Sequence, residues 1–237
     1  MIQKMEIPQV NFKVPSYEEL AEKVYRRVKS MKENYRNNVY YLEIHKELFN
    51  KIQNTKFMYV KKELVEMIKK SHNLEELEKY KEDLEAYWKP LNKLFFENLK
   101  KITGFDSPYK EYIVYITKII RGSYTPTNEV FTNPKEKIRT SGFITAEELL
   151  HIYYWSIFRK IIKDEELPWM NNYSVWEISE TIPEYILTDK SFREFGWPEN
   201  LNRKYPFIAK WKEKLDIIWK SKKNFKDFLI KAHRGIV

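Results

Sequence analysis

The amino-acid sequence predicts a mainly α-helical α+β protein. Glycine is absent before Gly104 and proline is rare over the same stretch, which favours long helices. Residues 111–117 form a short segment that is rich in β-branched and aromatic side chains, as expected for a strand. A turn that contains Gly122 leads to a second expected strand at residues 128–132. We therefore expect a helical N-terminal half and a small antiparallel sheet packed on a later helix.

A change of composition after residue 103 predicts two regions, residues 1–103 and residues 104–237. In the first region, Ser16 followed by Glu18 and Glu19 is a signal for a helix N-terminus, because a capping hydroxyl and early negative charge suit the helix dipole. Three or four further helices are expected before the boundary. Their breaks are predicted near residues 37–38, 54–55 and 71–73.

Overall composition is that of a globular protein, with 43% hydrophobic and 32% charged residues. No apolar run approaches the roughly 20 residues that span a bilayer, so we expect no membrane segment. Residues 1–15 lack the apolar core of a signal peptide, which predicts a cytoplasmic location. The absence of cysteine excludes disulfides and thiolate metal sites, and leaves histidine and carboxylate side chains as metal ligands.

The stretch that most suggests chemistry is E-E-x-x-H at residues 147–151, within a helix predicted from about Thr145 to Lys163. Side chains four residues apart share a helix face, so Glu147 and His151 can reach one ion. Glu148 lies between them in sequence and three residues before the histidine. A helix kinked or restarted at Pro183 is expected over residues 173–187, and two amphipathic helices over residues 205–232.

The order of short strands, E-x-x-H helix and Glu-bearing helix resembles the gluzincin metallopeptidases, over residues 109–187. Their H-E-x-x-H pattern supplies two zinc-binding histidines and a glutamate general base. The resemblance implies that Glu148 is the base and that Glu147, His151 and Glu177 hold the metal, with Glu180 as an alternative or supporting ligand. It also implies peptide or protein substrates. Hydrogen-bond donors to the oxyanion are then expected among the late residues Tyr185, Tyr205 and His233.

Glu147 stands where the gluzincins have their first histidine. A Glu147, His151 and Glu177 set still gives three ligands, and zinc accepts carboxylate oxygen. Such an oxygen-rich site is also compatible with manganese or magnesium, which we expect less than zinc. The extra negative charge weakens activation of a bound water. We therefore expect an altered site that is active, weakly active or decayed. A decayed site would bind no cofactor.

Structural explanations of the same residues stay open. Residues 145–148 fit an S/T-x-x-E capping box, in which Glu148 caps the helix start, Glu147 is a first-turn surface acid and His151 is a partly buried polar residue. Di-iron bundles also use E-x-x-H but need a second copy, which this sequence lacks. The two late tyrosines fit packing at the rim of a cleft, and His233 fits a frayed terminus.

The net charge is +9, but 34 acidic residues are interspersed among the 43 basic ones. Only residues 203–226 are clearly lysine-rich, and there Trp211, Trp219 and Phe225 alternate with the lysines. Basic groups beside aromatic rings can bind nucleic acid, although these rings fall on the expected core stripe. The alternative function is therefore a non-enzymatic binding protein that uses its helical half and this segment, with weak, non-specific nucleic-acid binding.

Overall fold

The computed structural model describes residues 6–31, 42–125, 127–134, 137–162, 173–197 and 205–234. Within these ranges the chain forms ten α-helices and one four-stranded mixed sheet, which confirms the predicted fold class. The helices are α1 Tyr17–Ser30, α2 Lys46–Asn54, α3 Phe57–Ser71, α4 Leu74–Trp88, α5 Asn92–Thr103, α6 Ile138–Ile161, α7 Tyr173–Thr181, α8 Pro183–Ile186, α9 Pro206–Ser221 and α10 Phe225–Arg234. The strands are β1 Gln9–Lys13, β2 Glu111–Ile116, β3 Ser123–Tyr124 and β4 Glu129–Thr132.

The chain divides into two compact units, and each draws residues from both sides of residue 103. The sheet unit consists of the described residues of Val10–Lys89 and Tyr112–Glu148. The C-terminal unit consists of those of Met1–Gln9, Pro90–Glu111 and Leu149–Val237. The uninterrupted helix α6 contributes residues to both units. The two regions expected from the sequence, 1–103 and 104–237, stay a prediction.

In the sheet unit, α1 begins at the predicted cap. The Ser16 hydroxyl accepts a hydrogen bond from the Glu19 amide at 3.1 Å, which satisfies one of the amides left unpaired at a helix start. The apolar stripe of α1 is fully buried, and it packs on α2 and α3. This cluster extends to Tyr115 and Phe131 of the sheet, whose rings stack with centroids 5.5 Å apart.

Strand pairing differs from the antiparallel hairpin that the sequence predicted. The sheet order is β1-β2-β4-β3, and β2 pairs with β4 in parallel, with Val114 opposite Val130. The antiparallel pair is β3 with β4, where Ser123 lies opposite Phe131. The predicted turn contains β3, which lies at the edge of the sheet. After β3 the chain reverses direction and returns as β4, which lies between β2 and β3.

The start of α6 lies against α4 in the sheet unit. The hydroxyl groups of Tyr80 and Ser141 are 2.6 Å apart, and the Tyr87 ring lies on the backbone of Gly142. A Cβ atom on Gly142 would overlap Cε1 of Tyr87 and lie 2.9 Å from its Cδ1. The two tyrosines are two helical turns apart on α4 and therefore face α6 together. Gly142 is required here for close approach, inside a helix that the sequence predicted to begin only at Thr145.

The C-terminal unit is built from helices and a 3-10 turn, Lys190–Phe195. The helical stretch before it was expected to be kinked or restarted at Pro183. It restarts there, and Pro183 begins α8 two residues after α7 ends at Thr181. The two expected C-terminal helices are present as α9 and α10, and α9 packs on α7. None of the helices in the described ranges has the length and apolar character needed to cross a membrane.

We expect Gly142→Ala to destabilise the protein by about 1–3 kcal/mol, because the added methyl group must displace the Tyr87 ring. In a Tyr87→Ala background the same substitution should instead stabilise by up to about 1 kcal/mol, since alanine is the better helix former. Urea unfolding of the four chains measures both differences. An equal effect of Gly142→Ala in the two backgrounds would contradict the proposed contact.

Candidate metal site

Helix α6 carries the predicted E-E-x-x-H motif in its interior. It begins at Ile138, and the amide of Ser141 already donates to the carbonyl of Lys137. Thr145 is two turns inside the helix, fully buried, and its hydroxyl makes no hydrogen bond. A capping residue must lie at the helix boundary with non-helical backbone. The capping-box interpretation of Thr145 and Glu148 is therefore wrong.

Three ligand-bearing side chains meet on α6 and α7. One ligand atom each from Glu147, His151 and Glu180 lies within 4.8 Å of the other two. Nε2 of His151 is 3.8 Å from Oε1 of Glu180. His151 is 2% exposed and the Glu180 side chain 13% exposed, while Glu147 is half-buried. Glu147 and His151 are one turn apart on the same continuous helix, which fixes their spacing.

The donor set fits a divalent cation. Zinc ligands lie at about 2.0–2.2 Å from the ion, so neighbouring donors of a tetrahedral site are about 3.4 Å apart. The 3.8 Å between His151 and Glu180 is close to this spacing, and the atoms of all three residues, which lie within 4.8 Å of one another, would draw closer around an ion. One imidazole and two carboxylates suit zinc, and the oxygen-rich balance also suits manganese or magnesium.

Glu177 does not belong to this group. It is buried, and its Oε2 accepts a hydrogen bond of 2.7 Å from the indole Nε1 of Trp211 on α9. The sequence resemblance favoured Glu177 as third ligand and gave Glu180 as the alternative, and the structure places Glu180 with His151. Glu177 and Trp211 are 34 residues apart, so no local pattern indicated their hydrogen bond.

Glu148, the expected general base, is buried in the sheet unit with 8% of its surface exposed. It lies beside Gly122, where an added Cβ atom would be 3.3 Å from Oε1 of Glu148 and 2.8 Å from Cγ2 of Ile144. The small residue in the predicted turn thus leaves space for the carboxylate. Glu148 is outside the group of three clustered ligands, and its role as a base remains a prediction.

The two tyrosines that the resemblance marked as oxyanion donors have different surroundings. Tyr185 is buried, and its hydroxyl donates to Oδ1 of Asp216 on α9 at 2.7 Å. Burial raises the pKa of the Tyr185 phenol, and the Asp216 carboxylate adds to this effect. Tyr205 is 36% exposed and stacks on Phe207 with ring centroids 5.2 Å apart. Their contact with a substrate stays a prediction.

One interpretation of the sequence placed His233 at a frayed terminus, and the structure shows that this is wrong. His233 is 1% exposed, and its Nε2 lies 2.8 Å from the hydroxyl of Tyr154 on α6. Its ring also meets Phe158 edge-on with centroids 4.7 Å apart. Burial lowers the pKa of His233 to about 3, because the charged imidazolium would lose its hydration.

The lysine-rich segment places its charges over aromatic rings of the C-terminal unit. Lys210 and Lys214 each lie 5.4 Å from the centre of the Trp211 ring, and Lys222 lies 3.6 Å from that of Trp219. Trp211 is only 5% exposed, so its ring has little surface on which a base can stack. Residues 203 and 204 lie outside the described ranges. Nucleic-acid binding by this segment stays a prediction.

No protein family, curated protein sequence or solved structure matches this chain.

We expect the buried His233 to make folding sensitive to acid. The unfolded chain binds a proton at this residue near pH 6.5, whereas the folded chain does so only near pH 3. Above pH 6.5 the residue is neutral in both states and does not change the free energy of unfolding with pH. Below pH 6.5 this free energy falls by about 1.4 kcal/mol for each pH unit, until about pH 3.

Urea unfolding of the wild type and His233→Gln between pH 7 and pH 4 measures this difference, because glutamine keeps hydrogen-bonding capacity but does not titrate. The stability difference between the two proteins should shrink as the pH falls. Parallel stability curves over this range would show that His233 is accessible to protons in the folded state.

Proposed function

We propose that this chain is a gluzincin-like, metal-dependent peptide hydrolase with an altered metal site formed by Glu147, His151 and Glu180. The observation that carries the proposal is the mutual approach of these three ligand atoms within 4.8 Å, on two helices that the sequence had already marked. A 2% exposed imidazole beside two carboxylates offers one nitrogen and several oxygen donors, which is a ligand set that divalent cations accept.

A divalent ion held there would supply Lewis-acid polarisation of a peptide carbonyl and lower the pKa of a bound water. His151 would bind the ion through a neutral ring nitrogen, and the carboxylates of Glu147 and Glu180 would offset part of its positive charge. In the gluzincin-like scheme Glu148, one residue after Glu147 on α6, would accept the proton of the attacking water. Two anionic ligands reduce the net positive charge of the site, so any hydrolysis should be slow.

The assignment is tested by restoring the histidine that the motif lacks. We expect Glu147→His to bind zinc at least about tenfold more tightly than the wild type, or about 1.4 kcal/mol, because imidazole is the better zinc ligand. Isothermal titration of metal-free protein with zinc and with manganese measures both affinities. The wild type should hold less than one tightly bound ion per chain after gel filtration.

Two control variants separate binding from catalysis. His151→Ala should abolish binding of both ions, because it removes the buried ligand common to either metal. Glu148→Gln in the Glu147→His background should keep zinc and lose any peptidase activity, since it removes only the base. Unchanged zinc binding in Glu147→His, together with no effect of His151→Ala, would mean that α6 is not a metal-binding helix.

A further inference from the structure

The hydrogen bond between Glu177 and Trp211 joins α7 to α9 inside the C-terminal unit. The indole Nε1 donates to Oε2 of Glu177 at 2.7 Å, and both residues are less than 9% exposed. A charge-assisted bond in such surroundings is strong, because neither group has water as an alternative partner. The Trp211 ring also makes two cation–π contacts, since the Nζ atoms of Lys210 and Lys214 each lie 5.4 Å from its centre.

Glu177 lies three residues before Glu180 on the nine-residue helix α7. Residues three apart are neighbours on one side of a helix, about 5–6 Å apart at their Cβ atoms. Any rotation of α7 about its axis moves both carboxylates together. A fixed Glu177 carboxylate therefore limits where the Glu180 carboxylate can point, and His151 lies within 3.8 Å of that carboxylate.

Two further polar contacts join the next helix, α8, to α9. After α7, the buried Glu184 lies 3.9 Å from Nζ of Lys212, and Tyr185 donates to Asp216 at 2.7 Å. Lys212 and Asp216 are both on α9, one residue and five residues after Trp211. Of these three polar contacts, the bond to Trp211 starts from α7 itself, which also packs on α9 through the rings of Trp176 and Phe207. It is therefore the directional contact best placed to set the rotation of that helix.

We propose that Trp211 is a positioning residue for the metal site: through Glu177 it sets the rotation of α7 that presents Glu180 to His151. This inference rests on the proposed metal-binding function. It also assigns Glu177 a different task from the one that the sequence resemblance implied. Glu177 acts as an anchor of α7 and is not a ligand of the ion.

The test is the metal affinity of Trp211→Phe, which keeps an aromatic ring in the core and removes only the indole N–H. We expect affinity for manganese and zinc to fall about 10- to 100-fold, as for residues that orient ligands from behind. Trp219→Phe is the matched control, because it makes the same exchange on the same helix, where the Trp219 ring packs on Tyr185, Phe225 and Phe228. Its affinity should equal that of the wild type.

Glu177→Gln distinguishes an anchor from a ligand. Glutamine keeps an oxygen that accepts the indole hydrogen bond but is a poor metal ligand, so an anchor tolerates the change within about threefold and a ligand does not. Thermal melting of metal-free protein accompanies each titration. A purely structural role of Trp211 would lower the melting temperature of Trp211→Phe while leaving its metal affinity unchanged, and would overturn the inference.

If Trp211→Phe does not fold, the wild type still provides a test by nuclear magnetic resonance. Coupling is reciprocal, so zinc binding should shift the indole N–H resonance of Trp211 and slow its hydrogen exchange, with no change at Trp219. An unchanged Trp211 resonance on zinc binding would overturn the inference alone. Absence of zinc and manganese binding by the wild type would overturn the proposed metal site and this inference together.

Discussion

The burial of α6 on nearly all sides is the constraint on which the candidate site depends. Residues 148–155 are eight consecutive buried positions, or more than two full turns. A helix buried all round cannot place its polar side chains in water, so each one must find a partner in the protein or a bound ion. Glu148 and His151 fall in this stretch, and Glu147 lies at its edge. Their chemistry therefore follows from their burial as much as from their spacing.

Directional polar pairs recur through the C-terminal unit. The indole of Trp211 donates to Glu177, Tyr185 donates to Asp216, and His233 meets Tyr154, all with at least one buried partner. Apolar side chains alone permit small rotations of packed helices, because many arrangements bury similar area. A buried hydrogen bond penalises such rotations, since a lost partner leaves a desolvated polar group. These pairs therefore favour one orientation of the helices that they join.

In the sheet, local sequence patterns predicted the positions of two strands but not their pairing. β-branched and aromatic runs predicted β2 and β4 to within about one residue, because strand propensity and alternation are local properties. The pairing was wrong because it depends on the two-residue strand Ser123–Tyr124, which lies inside a segment that reads as a turn. Helix α6 was misjudged in a similar way. A glycine usually indicates a break in a helix, but Gly142 lies inside α6 and leaves space for the ring of Tyr87.

The sequence by itself determined the fold class, the capped start of α1, the interruption at Pro183 and the one-turn spacing of Glu147 and His151. These features depend on near neighbours in the chain. Only the tertiary structure decided that Glu180, and not Glu177, meets His151. Both glutamates lie on α7, and helical spacing alone does not distinguish them. The choice depends on the rotation of α7, and that rotation is set by contacts such as the indole of Trp211, which is distant in sequence.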